Sequence, residues 1–487
     1  MLSPRWSARE AVAVVTEEFT EFSPDDVSTG PPGTDDGPLG WDGYGAARQR
    51  AQERTGERES VISGIARIGG VAAVLVSFEF GFLGGSLGER TGDRLVAAYT
   101  RARELRLPVV SLIATGGSRM QEGMRALTQL QRVAAQSALT RAAGLPQIAV
   151  VRDPTTGGGW ATLGAGADVV LALPGAQIGF AGSRVRPADA DPYAYSAEGQ
   201  LAAGQIDAIV PPDRLRTTLG RWLRLLTPEA PGREAPEPVA SAPVDFTSAG
   251  NAPAAGRPAT PAGGITPPPP PPPHALGSSG LPATGWAAVR AARDERRPRA
   301  AAYLDAYFDW REEISGDRCG GTDPGIRCGF GRRDGRTIAF AAQCGTAVRP
   351  AGFRTAARLI RMADRLGIPV LTLVDTPGAA NDPDAERAGA GAAIADVFAA
   401  LASVRTPVTS LLIGEGGSGG ALALAAPGAL WATPDSYFSV IAPESAAAIL
   451  KRDAHAVRDT ADQLRLRPQD LLSLGVIQGI VPPAPPE

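Results

Sequence analysis

At 487 residues the chain is long for one domain, since single cores stop growing beyond about 250–300 residues, so two domains of similar size are expected. Its 48 basic and 51 acidic residues leave a formal charge of −3, which excludes a basic face built for nucleic acid or an anionic membrane. Three cysteines, Cys319, Cys328 and Cys344, are too few and too unevenly spaced for a disulfide framework or a four-cysteine zinc site, and are expected as core or loop residues in a reducing compartment.

In chain order, the first element is a helix over SAREAVAVV. It carries charges inside its apolar run and is no secretory leader; no run of roughly 18 uncharged apolar residues follows, so a cytoplasmic protein without a membrane span is expected. An amphipathic helix, RLVAAYTRARELR, leads into a buried strand, LPVVSLIATGG at 107–117. A second helix leads to a second strand, LPQIAVV at 145–151, and to a glycine loop, TTGGGW, that opens another helix. Between Thr227 and Gly280 apolar periodicity gives way to Pro, Ala and Gly, with seven consecutive prolines at 267–273, the composition of a disordered or polyproline spacer.

The elements then return. FRTAARLIRMADRLG precedes IPVLTLVDTPG at 368–378, and TPVTSLLI at 406–413 precedes GEGGSGG. The strand landmarks lie 38 residues apart in both halves, 107 to 145 and 368 to 406, and the halves close alike with GQIDAIVPP and GVIQGIVPP. Such register predicts a duplicated α/β domain: residues 1–226, a linker at 227–280, and residues 281–487. Short apolar strands alternating with helices place the glycine loops at strand C-termini, where α/β folds bind their ligands.

A helix N-terminus presents unpaired N–H groups and partial positive charge, and glycine lets a ligand oxygen approach that backbone. Each half offers two candidate donors for an oxyanion: Gly116 and Gly117 with Gly157 and Gly158 in the first, Gly378 with Gly419, Gly420 and Ala421 in the second. One such hole per half suits a reaction that develops negative charge on two oxygens. Taken singly, each loop also fits a tight turn or a close helix–strand contact.

Two other chemistries fit less well. GEGGSG at 414–419 matches the dinucleotide fingerprint, with Asp435 at the distance of a ribose-binding acid, yet its counterpart TTGGGW does not match. The single lysine, Lys451, lies outside any phosphate-binding GxxxxGK[ST] loop, and His274 and His455 fall in the proline tract and a charged stretch, away from any nucleophile turn. Catalysis must then lean on backbone dipoles and on groups that the substrates bring.

These motifs resemble the carboxyltransferase component of acetyl-CoA carboxylase, within the crotonase-like superfamily. The first half is similar to the β subunit in FEFGFLGGSLGERTGDR, ATGGSRMQEG, RDPTTGGGWAT and IGFAGSRV. The second is similar to the α subunit in GWAAVRAARDERRP, SGDRCGGTD, VDTPGAA, IGEGGSGGALAL and YFSVIAPESAAAIL. The resemblance implies two tandem crotonase-like (ClpP/crotonase) domains in a single-chain β–α fusion.

It further implies that Gly116, Gly117, Gly157 and Gly158 hold the thioester oxygen of an acyl-CoA, while Gly378, Gly419, Gly420 and Ala421 hold the ureido oxygen of biotin. Carboxybiotin would release CO2, the ureido anion would take the α-proton, and the enolate would capture CO2. Gly84, Gly85 and Ser86 of GGSLGER, with Arg90 and Arg119, are assigned to CoA phosphate or adenine, and Gly416 and Gly417 to cofactor binding; the bland alternative for the first group is a tight turn with surface arginines.

The β subunit's usual CxxC…CxxC zinc ribbon has no counterpart, so zinc is not expected. Lys451 sits in AAILKRDAHAV, unlike the AMKM-like turn that accepts biotin, so the resemblance implies biotin on a separate carrier protein, a separate biotin carboxylase, and a homodimer or larger ring. The leading expectation is transfer of a carboxyl group from carboxybiotin on a carrier protein to an acyl-CoA, acetyl-CoA giving malonyl-CoA. A biotin-independent malonyl-thioester decarboxylase and a non-catalytic carboxylase subunit are the alternatives.

Overall fold

The computed structural model describes residues 5–22, 36–227 and 267–483. These residues divide into two compact units: 5–22, 36–118, 132–182 and 189–227 form one, and 119–131, 183–188 and 267–483 the other.

In the first unit, β1 (Glu18–Glu21), β2 (Val61–Ile68) and β3 (Val71–Phe78) are antiparallel, and β4 (Val109–Thr115), β5 (Gln147–Thr156), β6 (Val169–Ala172) and β8 (Ala208–Ile209) continue the sheet in parallel. A short β7 (Ile178–Gly179) adds to the far end of β5. The second unit repeats this plan: β9 (Trp310–Ile314), β10 (Ile326–Arg333) and β11 (Arg336–Gln343) are antiparallel, β12 (Val370–Thr376), β13 (Val408–Gly417), β14 (Leu430–Ala432) and β16 (Gly479–Ile480) are parallel, and β15 (Tyr437–Ser439) adds to β13. Both sheets have eight strands in the same order.

All seven residues of β4 and all seven of β12 are buried, as parallel strands covered on both faces require. In the first unit Ala8, Val12 and Val15 of the helix Ala8–Val15 join Leu215, Leu219 and Leu223 of the helix Leu215–Leu226 over Leu75, Val110, Leu112 and Val150. The first of these helices opens with a capping box between Ser7 and Glu10. In the second unit Tyr303, Leu304 and Tyr307 of the helix Ala300–Tyr307 cover Phe340, Leu371, Leu373, Leu411 and Ile413. Each fully buried valine, leucine, isoleucine or phenylalanine among them contributes about 1.5–3 kcal/mol relative to exposure.

The expected disordered linker ends earlier than Gly280. Residues 228–266 lie outside the described residues, but the proline tract is docked on the second unit: Arg336, Thr409 and Tyr307 donate to the carbonyl oxygens of Pro268, Pro270 and Pro271 at 2.7, 2.7 and 2.8 Å. The Leu276 amide donates to the Tyr303 hydroxyl at 3.2 Å, and the Ala275 amide donates to the Pro482 carbonyl at 2.9 Å. Composition reads such a tract as a spacer because proline carries no N–H, yet its carbonyls stay free to accept, and a groove of its own chain takes them.

Candidate active site

The two glycine-rich regions are built alike. β4 ends at Thr115, whose hydroxyl accepts the Gly117 N–H at 3.0 Å; β12 ends at Thr376, whose hydroxyl accepts the Gly378 N–H at 3.1 Å. Gly117 and Gly378 hold φ values of +102° and +141°, open to glycine and strained for other residues. Each carbonyl is held from the loop that follows the preceding strand: Leu87 N–H donates to Gly117 at 2.9 Å, and Val348 N–H donates to Gly378 at 3.1 Å.

The helix mouths after β5 and β13 match as closely. Thr115 pairs with Thr155 as Thr376 pairs with Gly416, which aligns Gly157 with Ser418, Gly158 with Gly419 and Gly159 with Gly420. Gly157 and Ser418 both turn the chain through the left-handed region, at φ +67° and +51°. For serine that conformation stores strain on the order of 1 kcal/mol. Gly159 and Gly420 are contact glycines: a Cβ there would strike Thr115 Cγ2 and the Ala379 amide respectively. A Cβ on Gly117 would lie 4.0 Å from the Gly158 nitrogen, so loop and helix mouth face each other within the first unit.

Of the four donors expected in the first half, three amides are committed: Gly116 to the Gly84 carbonyl at 2.9 Å, Gly117 to Thr115, and Gly157 to the Phe180 carbonyl at 3.2 Å. Gly158, buried in the first helical turn, has no intrahelical acceptor. In the second half the Gly378 amide is likewise taken by Thr376, and Gly419, Gly420 and Ala421 occupy the first turn of the helix Ser418–Leu422. Gly416 and Gly417 are buried at the end of β13, where a Cβ on Gly417 would strike the Pro377 carbonyl.

The residues assigned to CoA part company. Arg90 is exposed, but Arg119 is 1 % exposed and ion-paired with Glu122 at 3.3 Å, so it offers no surface cation. Gly84 and Gly85 brace the Gly116–Gly117 loop instead: a Cβ on Gly85 would strike the Ala114 carbonyl. The Ser86 carbonyl accepts from Ser60 at 2.8 Å. Asp435, the candidate ribose partner, is 4 % exposed and packs on Gly277, where a Cβ would collide with its carboxylate.

Sequence reading missed what lies beneath the second helix mouth. Asp375, fully buried, accepts from Arg297 at 2.5 Å and from the Glu415 amide at 3.1 Å. The signal was there in LTLVDTPG, a lone carboxylate inside an apolar strand run. The structure also places the cysteines apart from any cluster: Cys319 is exposed, Cys328 buried and Cys344 half-buried, all free. Among the described residues no three His, Cys, Asp or Glu side chains gather as metal ligands, and no helix is long and apolar enough to cross a membrane.

Known proteins carry the same two-part pattern. Residues 43–210 match the family model described as carboxyl transferase domain, and residues 282–485 match the one described as acetyl co-enzyme A carboxylase carboxyltransferase-like. The chain is 40% identical over 453 residues to the acetyl-coenzyme A carboxylase carboxyl transferase subunits beta/alpha of Salinispora arenicola, covering 89% of this chain and 75% of that protein. It is 34% identical over 459 residues to a probable biotin-dependent acyl-coenzyme A carboxylase beta3 subunit of Mycobacterium bovis, covering 91% of this chain and 84% of that one. A transcarboxylase 12S crystal structure aligns over 98% of this chain and 87% of its own at 19% identity, with a TM-score of 0.38.

Proposed function

Because this chain belongs to the family of acetyl-coenzyme A carboxylase carboxyl transferase beta/alpha proteins, we propose that it transfers a carboxyl group from carboxybiotin to an acyl-CoA, acetyl-CoA becoming malonyl-CoA. The supporting observation is the paired helix mouths, one per unit, with Gly158 and Gly419 at the same register position behind a left-handed residue. We read the two sheets of identical order as crotonase-like domains from one duplication, β-like before the unassigned stretch and α-like after it.

In this reading the Gly158 amide receives the thioester oxygen of the acyl-CoA as negative charge develops there. The first-turn amides of Gly419 and Gly420 receive the ureido oxygen of biotin, while the Ala421 amide, expected as a third donor, makes the helix's first internal bond to Gly417. Both sets of dipoles are fixed before the substrates arrive, which is what makes preorganised donors effective. Biotin supplies the carboxyl group and a base, so the chain needs no histidine or lysine for proton abstraction. Gly116 and Gly117 become the rigid wall opposite Gly158 rather than donors.

With Lys451 as the chain's single lysine, lying outside any AMKM-like turn, biotin arrives on a separate carrier protein, charged by a separate biotin carboxylase. A homodimer or larger ring and a cytoplasmic setting complete the proposal.

The test is the reverse reaction: loss of malonyl-CoA measured with and without biocytin. Biotin-dependent loss is expected. Equal release of CO2 without biotin would make the protein a decarboxylase, and no turnover with any malonyl thioester would leave a non-catalytic subunit.

A further inference from the structure

The two pseudo-equivalent helix mouths differ in what supports them. β2 and β3 pair Val61 with Phe78, and β10 and β11 pair Ile326 with Gln343, so Gln343 stands where the first unit has Phe78. Asp375 likewise precedes Thr376 as Ala114 precedes Thr115. At these two register positions the first unit therefore carries an aromatic ring and a methyl group, and the second a buried amide and a buried carboxylate.

Gln343 is fully buried and bonds at both ends of its amide. Its Nε2 donates to the Gly420 carbonyl at 2.9 Å, and its Oε1 accepts the Asp375 amide at 3.2 Å. That is the only orientation of a side-chain amide that satisfies both partners. The Asp375 carboxylate then accepts the Glu415 amide at 3.1 Å and is held by Arg297, whose guanidinium also donates to the Ile413 carbonyl at 3.2 Å. Gln343 thus ties the end of β12 to the helix that follows β13, and the Asp375 carboxylate ties it to β13 itself.

The Gly420 carbonyl and the Ala421 N–H share one planar peptide and point in opposite directions. The Ala421 N–H makes the first internal bond of this helix, to the carbonyl of its cap residue Gly417, so a bond that holds the Gly420 carbonyl on Gln343 fixes the first turn whose Gly419 and Gly420 amides have no such partner. We infer that Gln343 is a positioning residue: it fixes the first turn of the helix at the Gly420 carbonyl, and with it the Gly419 and Gly420 amides that the second unit presents to a ureido oxygen. This rests on the proposed carboxyl transfer. The first unit, with Phe78 in that place, has no such clamp, so the two mouths differ in how firmly their donors are held.

Gln343→Met keeps the length and volume of the side chain and removes both hydrogen bonds. In the full-length chain, kcat/KM for biocytin in the reverse reaction should fall about ten- to a hundredfold, the scale of a displaced positioning contact. KM for malonyl-CoA should stay within about twofold, because uniform binding elsewhere is untouched. Amide hydrogen exchange, followed by mass spectrometry, should speed up in peptides covering 376–381 and 418–424 and stay the same around 115–117.

Unchanged kcat/KM for biocytin would overturn the inference, as would an equal loss for both substrates. If the wild-type protein consumed malonyl-CoA without biotin, the proposed function would fall; the exchange measurement would still decide the clamp, and unaltered exchange in both peptides would sink it. Should Gln343→Met fail to fold, Gln343→Asn, which keeps the amide but is one methylene short of both partners, takes the same measurements with the same outcomes expected.

Discussion

Single residues carry the sharpest differences between the two halves. Gly158 sits at a helix position with ordinary backbone angles, so Gly158→Val should fold normally while its side chain occupies the place of the ligand oxygen. Turnover should drop by at least about a hundredfold, the scale for losing an oxyanion donor, with an unchanged melting curve. A melting temperature lowered along with activity would remove that role. Asp375→Ala strands the Arg297 guanidinium in a site where its side chain is 3% exposed. Leaving a buried charge without its partner costs about 3–5 kcal/mol, which urea denaturation would read directly. Burial pushes the Cys344 thiol up to about 11 and raises that of Cys328 as well, so both stay protonated at pH 8. Alkylation at that pH should label the exposed Cys319 alone, and modification of Cys344 in the folded protein would contradict its burial.

At the scale of elements, the strands and their spacing were legible and the proline tract was not. β4 and β12 start at Val109 and Val370, β5 and β13 at Gln147 and Val408, and each pair keeps the 38-residue interval visible in the sequence. Apolar runs after Leu-Pro or Ile-Pro, bounded by glycine, identify buried parallel strands because period and composition agree there. The tract has no apolar period, and its docking depends on three side-chain donors from elements far along the chain. Tyr307→Phe deletes one of those donors and should lower stability by about 0.5–1.5 kcal/mol. Limited proteolysis of the wild type should then spare 267–276, and cleavage inside that stretch would show that the tract is not held.

For the whole molecule, the duplication predicted two domains of contiguous sequence, whereas the second compact unit also takes in residues 119–131 and 183–188. Gln131 belongs to that unit and donates to the carbonyls of Leu422, at 3.2 Å, and Ala425, at the end of the helix that starts at Ser418. Asn381 donates to the Val185 carbonyl at 2.9 Å. Residues 267–487 expressed alone lack both segments, so they should melt below the full-length chain; an equal melting temperature would mean that these contacts contribute nothing.

The sequence by itself determined the internal similarity of its halves, the α/β class with its buried parallel strands, and the glycine positions at the ends of those strands; the antiparallel strands that open each sheet were not read from it. Periodicity, spacing and the conformational freedom of glycine are local properties, and local properties can be read along a chain. Only the tertiary structure decided which amides remain free to bind a ligand. That outcome turns on acceptors such as the carbonyls of Gly84 and Phe180, which strand pairing and loop packing bring to Gly116 and Gly157. It likewise decided that Arg119 is spent on Glu122, that the proline tract lies in a groove of its own chain, and that Gln343 and Asp375 meet beneath one helix mouth and not the other. A hydrogen bond between residues 32 or 77 positions apart leaves no period in the sequence, because its partners are chosen by the fold.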